Sequence, residues 1–217
     1  NSANGSILTA MGKLGNPKMA EYMINASGYR DLDTLLLEGR AKSLYYYGSN
    51  NVSSPQLIEF AVSTVKSKRL SDKTRLYAAQ YLARTENLDI EKVKFQIAEA
   101  FTLEDNLNVK MALATALKGT DDKEIQQTLL SQLDLEQDYR IKCNIIRTLA
   151  SYPYINAAEK ITNLLKDENI HIARAACAFL KSNGSKDDVI YYRQIAKDSL
   201  PWQVKTDLFE AVNHILP

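Results

Sequence analysis

One nine-residue shape recurs along the chain, and its spacing limits the fold more than any other feature. An apolar or small residue, usually followed by a basic one, leads through apolar and small residues to a final large side chain. The fullest copy is Val109-Lys110-Met111-Ala112-Leu113-Ala114-Thr115-Ala116-Leu117. Others occupy residues 39–47, 74–82, 141–149, 172–180 and 204–212. Their second positions fall at 40, 75, 110, 142, 173 and 205, so consecutive copies lie 35, 35, 32, 31 and 32 residues apart. A weaker copy at residues 7–14 sits 33 residues ahead of Arg40. Near-constant spacing in this range marks one supersecondary unit repeated along the chain.

Each copy follows a second helical stretch, expected at residues 17–27, 55–67, 90–101, 121–133, 154–165 and 187–197. In the second of these, Leu57, Ile58, Ala61, Val62 and Val65 form the stripe of an amphipathic helix. Punctuation agrees. Asn16-Pro17 and Ser54-Pro55 place a cap before a proline at the first helical position. Asp121-x-x-Glu124 and Ser185-x-x-Asp188 read as capping boxes. Gly48, Gly119 and Gly184 follow helical runs, where left-handed caps are expected. No stretch alternates as a strand would. The expectation is an all-α chain, an α-α superhelix of about six helix pairs behind an orphan N-terminal helix. A single helical hairpin cannot bury its apolar face alone; stacking on neighbours makes the core continuous.

The repeated segments resemble the HEAT family. The likeness is carried by Asn108-Val109-Lys110, Tyr139-Arg140-Ile141-Lys142, Asn169-Ile170-His171-Ile172-Ala173-Arg174 and Leu200-Pro201-Trp202-Gln203-Val204-Lys205. These are similar to the D-x-x-V-R-x-x-A opening of the second HEAT helix, and Leu14-Gly15-Asn16-Pro17 to the family's turn into the next first helix. The resemblance covers essentially the whole chain. It implies a right-handed solenoid in a single domain, with repeats near 1–14 (partial), 15–48, 49–84, 85–119, 120–151, 152–183 and 184–217. The family's aspartate is only partly kept, with Asp72 and Asp138 as candidates, and its basic position is Ala173 in one repeat. Repeats of the tetratricopeptide kind have a similar period, but their spaced Trp, Gly, Tyr and Pro signature is not found.

Within this frame the function is to be sought on a surface. The sequence has no Walker-type or dinucleotide glycine loop and no G-x-S-x-G elbow. His171 and His214 are the only histidines, and neither belongs to an H-E-x-x-H motif. No catalytic, metal or cofactor-binding residue is assigned. Cys143 and Cys177 both fall in apolar helical patterns and read as buried thiols. Asn4, Asn25, Asn51 and Asn183 each begin a glycosylation sequon and read as caps and turns. With 27 basic and 26 acidic side chains the net charge is +1, which argues against nucleic acid as the partner. No apolar run is long enough to span a bilayer.

The basic column Arg40, Arg75, Lys110, Lys142 and Lys205 has two readings. Stacked helices would align it as a strip for an acidic partner, or each cation would bond carboxylates and helix ends of adjacent repeats. In the HEAT family the second is typical. Twelve tyrosines are many for this length. Some, such as Tyr47, must face the core; others could serve an interface. If the apolar set of each second helix points inward, the position five after the basic column points out. That row is Tyr45, Gln80, Thr115, Arg147, Ala178 and Glu210. In HEAT stacks the second helices line the concave face, so this row is the expected groove. Six pairs at about 10 Å each would extend it to roughly 60 Å, which suits a protein or extended peptide.

The leading expectation is therefore a protein-binding or scaffolding module. The first residues already read as helix interior, so the sequence reads as a piece of a longer array, with other domains of the full-length chain as expected partners. An alternative, implied by resemblance, is the non-catalytic helical arm of a multidomain enzyme such as a bacterial cyclophilin-type prolyl isomerase. A remote one is a HEAT-like DNA glycosylase, whose basic aromatic groove is poorly matched by one tryptophan and near-zero net charge.

Overall fold

The structure, a computed structural model, describes residues 2–26, 34–86, 88–197 and 199–216. Among these there are only helices and connecting turns. They form two compact units, residues 1–117 and 118–217.

The first unit contains α1 (Ser2–Leu14), a 3-10 turn (Pro17–Met19), α2 (Ala20–Asn25), α3 (Thr34–Ser49), α4 (Pro55–Lys66), α5 (Asp72–Arg84), α6 (Lys94–Thr102) and α7 (Leu107–Ala116). The second contains α8 (Lys123–Leu135), α9 (Tyr139–Leu149), α10 (Ala158–Asn163), α11 (Ile170–Asn183), α12 (Val189–Ile195) and α13 (Trp202–Ile215), with short 3-10 turns around α10 and before α12. Every recurring nine-residue segment lies in one of α3, α5, α7, α9, α11 and α13, or reaches one residue past its end. These are the second helices of the pairs. In the first unit α1 packs on α3, α3 on α5 and α5 on α7; in the second, α9 packs on α11 and α11 on α13. The first helices α4, α6, α8, α10 and α12 each lie against the second helix that follows. Each unit is thus built as an α-solenoid is, from helix pairs stacked in chain order.

The period-3.6 stripe explains the burial. In α4 the buried apolar residues are Leu57, Ile58, Ala61, Val62 and Val65, as expected. The terminal large residue of each copy is a core residue: Tyr47, Leu82, Leu117, Leu149, Leu180 and Val212 are all buried. Cys143 and Cys177 are free and buried. Burial pushes the Cys177 thiol up to about 12, so it behaves as a packing group.

The caps expected at Asn16, Ser54 and Ser185 are present. The Asn16 side chain accepts from the Lys18 amide at 3.0 Å, and Ser54 accepts from Leu57 at 3.2 Å. The Asp188 carboxylate accepts from both the amide and the hydroxyl of Ser185. Other details need correction. Asp122, not Asp121, caps α8, accepting from Glu124 and Ile125. Gly48 lies inside α3, and Gly184 is extended. Only Gly119 is left-handed as expected, joined by Gly15 and Asn51. Asn4 lies within α1 and is not a turn residue. The stretch at 90–101 becomes helical only from Lys94, because Ile90–Val93 closes a turn whose two apolar ends are still buried. Helix-like periodicity there reported burial, not helix. The stretches at 154–165 and 187–197 are shorter helices, α10 and α12, extended by 3-10 turns. Ser27, the last residue of the stretch expected at 17–27, lies outside the described residues.

Glycines on α1 and α3 let the two backbones approach closely. A Cβ on Gly39 would stand 2.5 Å from the Gly5 Cα, and one on Gly12 would stand 2.4 Å from the Ser43 carbonyl oxygen. Glycine is required here by backbone-to-backbone approach. Gly39→Ala should therefore destabilise the protein by about 1–3 kcal/mol, measured by denaturant unfolding. At an uncrowded helical site the same change would stabilise, so the sign of the effect checks the contact.

Candidate functional site

The basic column divides once it is placed. Arg40, half-buried, donates from Nε to the Met23 carbonyl at 3.1 Å and also bonds Ile24, closing the C-terminal end of α2. Its guanidinium lies 4.5 Å from the Phe60 ring centre. Arg75 is buried and pairs with buried Glu104 in the α6–α7 connection and with Asp72 one turn earlier. Lys68 reaches Glu104 at 3.3 Å, and Asn106 donates to Asp72 at 2.9 Å. This network ties α5 to the next repeat. Lys110 stands 5.7 Å from the Phe101 ring centre. Lys142 and Lys205 are half-buried.

Burial alone would raise the Glu104 carboxyl, but the Asn106 amide and the Arg75 guanidinium outweigh it and hold it below the usual carboxylate range. A carboxyl depressed in the folded state contributes stability above its unfolded pKa. That contribution disappears as pH falls through the folded value. Glu104→Gln should cost about 3 kcal/mol at neutral pH, because it removes the buried counter-charge of Arg75 and leaves only the exposed Asp72 beside it. Denaturant titrations of the two proteins should converge as pH drops below about 4.

The row read from the sequence is half-buried in the first unit and exposed in the second. Tyr45, Gln80 and Thr115 are half-buried on α3, α5 and α7; Arg147, Ala178 and Glu210 are exposed on α9, α11 and α13. In the first unit Tyr45 gathers neighbours. Its ring centre is 6.0 Å from that of Tyr77 on α5 and 5.3 Å from that of Tyr46. Arg84 lies 5.4 Å from the Tyr45 ring centre and donates to its hydroxyl at 3.1 Å. The Thr115 hydroxyl donates to its own helix at Met111. In the second unit Arg147 donates to Asn144, and Glu210 lies 3.6 Å from Lys181.

The row taken from sequence missed the charges around it. Extending it by one or two helical turns reaches Glu38 and Lys42 from Tyr45, and Lys73, Tyr77 and Arg84 from Gln80. The signal was present as i±3, i±4 and i±7 spacing. Lys13 on α1 joins them, its ammonium 5.3 Å from the Tyr46 ring centre. A cleft of about 410 Å³ lies along the α1–α3 joint, with Lys13, Leu35, Glu38 and Lys42 in its lining.

The tyrosines divide between core and surface. Tyr47, Tyr81, Tyr152 and Tyr192 are buried; Tyr22, Tyr139 and Tyr191 are exposed. In the second unit Tyr154 donates to Asp188 at 2.8 Å, and its oxygen lies 2.5 Å from that of Tyr192. Burial pushes the Tyr154 phenol up to about 12. These groups satisfy one another inside the α10–α12 region. Among the described residues no three His, Cys, Asp or Glu side chains converge as a metal would require. None of the described helices is long and apolar enough to cross a membrane.

The sequence matches no protein-family model, and no curated protein matches it.

Proposed function

We propose that this chain is a protein-binding or scaffolding module of the HEAT kind, itself non-catalytic, whose second helices present the docking face. The observation that carries the reading is a row of partly exposed residues on successive second helices. Tyr45, Gln80 and Thr115 stand at matching positions of α3, α5 and α7, which pack in order, while the opposite faces of these helices fill the core. A repeated outward position on stacked helices makes an extended surface, and an extended surface fits a chain better than a metabolite. Tyr45 and Arg84 belong to the residue types that dominate binding energy at interfaces, since each buries large area and keeps a polar end. The buried Arg75–Glu104 pair has a different role, holding neighbouring repeats together.

The reading extends to other domains of the same full-length protein as partners, and the helical arm of a multidomain enzyme is one such arrangement. A photo-crosslinking amino acid placed at position 80 should yield adducts with a partner protein or a neighbouring domain. The same group at position 59, exposed on α4, should yield few. The double variant Tyr45→Ala, Arg84→Ala should weaken recovery of that partner by about tenfold or more with unfolding unchanged. Equal adducts from both positions would overturn the assignment of the face.

A further inference from the structure

Charge on the second helices of the first unit is not balanced. Lys13, Lys42, Lys73 and Arg84 come from α1, α3 and α5, and Tyr45, Tyr46 and Tyr77 lie among them. One carboxylate, Glu38, sits within this group, and it is engaged by Lys73 at 2.6 Å. Lys13 has an aromatic face for a neighbour and Arg84 a phenol. Neither they nor Lys42 has a carboxylate within ion-pair reach among the described residues. The α11–α13 joint of the second unit is built differently. There Arg174 meets Asp207 at 2.7 Å and Lys181 approaches Glu210 at 3.6 Å. Where the α11–α13 joint answers Arg174 and Lys181 with acids on the next helix, Lys13, Lys42 and Arg84 have no carboxylate partner among the described residues. The cleft between α1 and α3 lies at the same place.

We propose that this face binds an acidic, extended protein segment, with Lys13, Lys42 and Arg84 receiving its carboxylates and Tyr45, Tyr46 and Tyr77 covering its backbone and stems. The proposal rests on the protein-binding reading and names the partner's chemistry. Three helices spaced 8–10 Å apart span about 20 Å, the length of about six residues of extended chain. Three cations with no carboxylate partner among the described residues match, over that span, a segment with an acid at about every second residue, whose carboxylates would fall on one side. Phenol edges and hydroxyls suit peptide amides and carboxylates, and a partly covered groove strengthens charge-assisted hydrogen bonds. Nucleic acid is the less favoured occupant: its phosphates form a longer track than three cations, and the whole chain is nearly neutral.

The test uses the whole chain and two kinds of probe. A fluorescein-labelled peptide of alternating Glu and Ala should bind, measured by anisotropy. Affinity should fall at least about fivefold on raising salt from about 50 to about 300 mM, and by about tenfold or more in the double variant Lys13→Glu, Lys42→Glu. Lys18→Glu with Lys92→Glu, the same charge change at exposed sites off the second helices, should leave it within about twofold. Lys42→Gln, which keeps the stem, should give an intermediate loss, and thermal unfolding by circular dichroism should confirm that every variant is folded. Equal loss in both double variants, equal binding of a Lys-Ala peptide, or tighter binding of single-stranded DNA of matched charge would overturn the proposal. Selection from a randomised displayed peptide library separates the two levels. Enrichment of acidic sequences supports both, enrichment of non-acidic ones overturns only the acidic assignment, and no enrichment of any sequence overturns the peptide-binding reading beneath it.

Discussion

A hairpin of about thirty residues has two helices and no interior; its apolar stripe is covered only when another hairpin lies against it. Everything in this protein follows from meeting that need between neighbours. The second helices supply the contact. α1, α3, α5 and α7 pack in order in one unit, and α9, α11 and α13 in the other. Residues such as Leu113, Ile146 and Leu180 are wholly buried. Because each interface is local in sequence, the stability of such a stack is close to a sum of nearest-neighbour terms. Individual joints can then differ without breaking the scheme.

They do differ. The α1–α3 joint uses glycine to bring two backbones together. The joint after α5 uses a buried ion pair, Arg75 with Glu104, supported by Lys68 and the amides of Asp105 and Asn106. The helix C-terminus beside α3 is closed by Arg40. In the second unit, Gln126 donates to the Pro153 carbonyl and accepts from Asn156, and Tyr154 with Asp188 and Tyr192 links α12 to the turn before α10. Buried polar groups of this kind add little net stability when made. They are costly to break, which favours one register of stacking over slipped alternatives.

The same economy of faces explains the surface. Residues not needed for stacking fall on the outer side of the second helices. Tyr45 and its neighbours are held by contacts with one another. A row of pre-placed aromatic and cationic side chains loses less side-chain freedom on binding than a mobile one would.

The repeat period, the helical class, the caps at Asn16, Ser54 and Ser185 and the burial of Tyr47 and both cysteines were legible in the sequence. Each depends on neighbours a few residues away or on a period that an amphipathic helix imposes. The left-handed turn at Gly15, the helical state of Gly48, the late start of α6 and the answer to which cations are paired were decided by tertiary structure. Arg75 and Lys42 are both cations on second helices of the first unit. One is buried against Glu104, 29 residues on, and the other has no carboxylate partner among the described residues and shares a cleft with Lys13 of a different helix. That outcome depends on the rotation and spacing of packed helices, which no local pattern encodes.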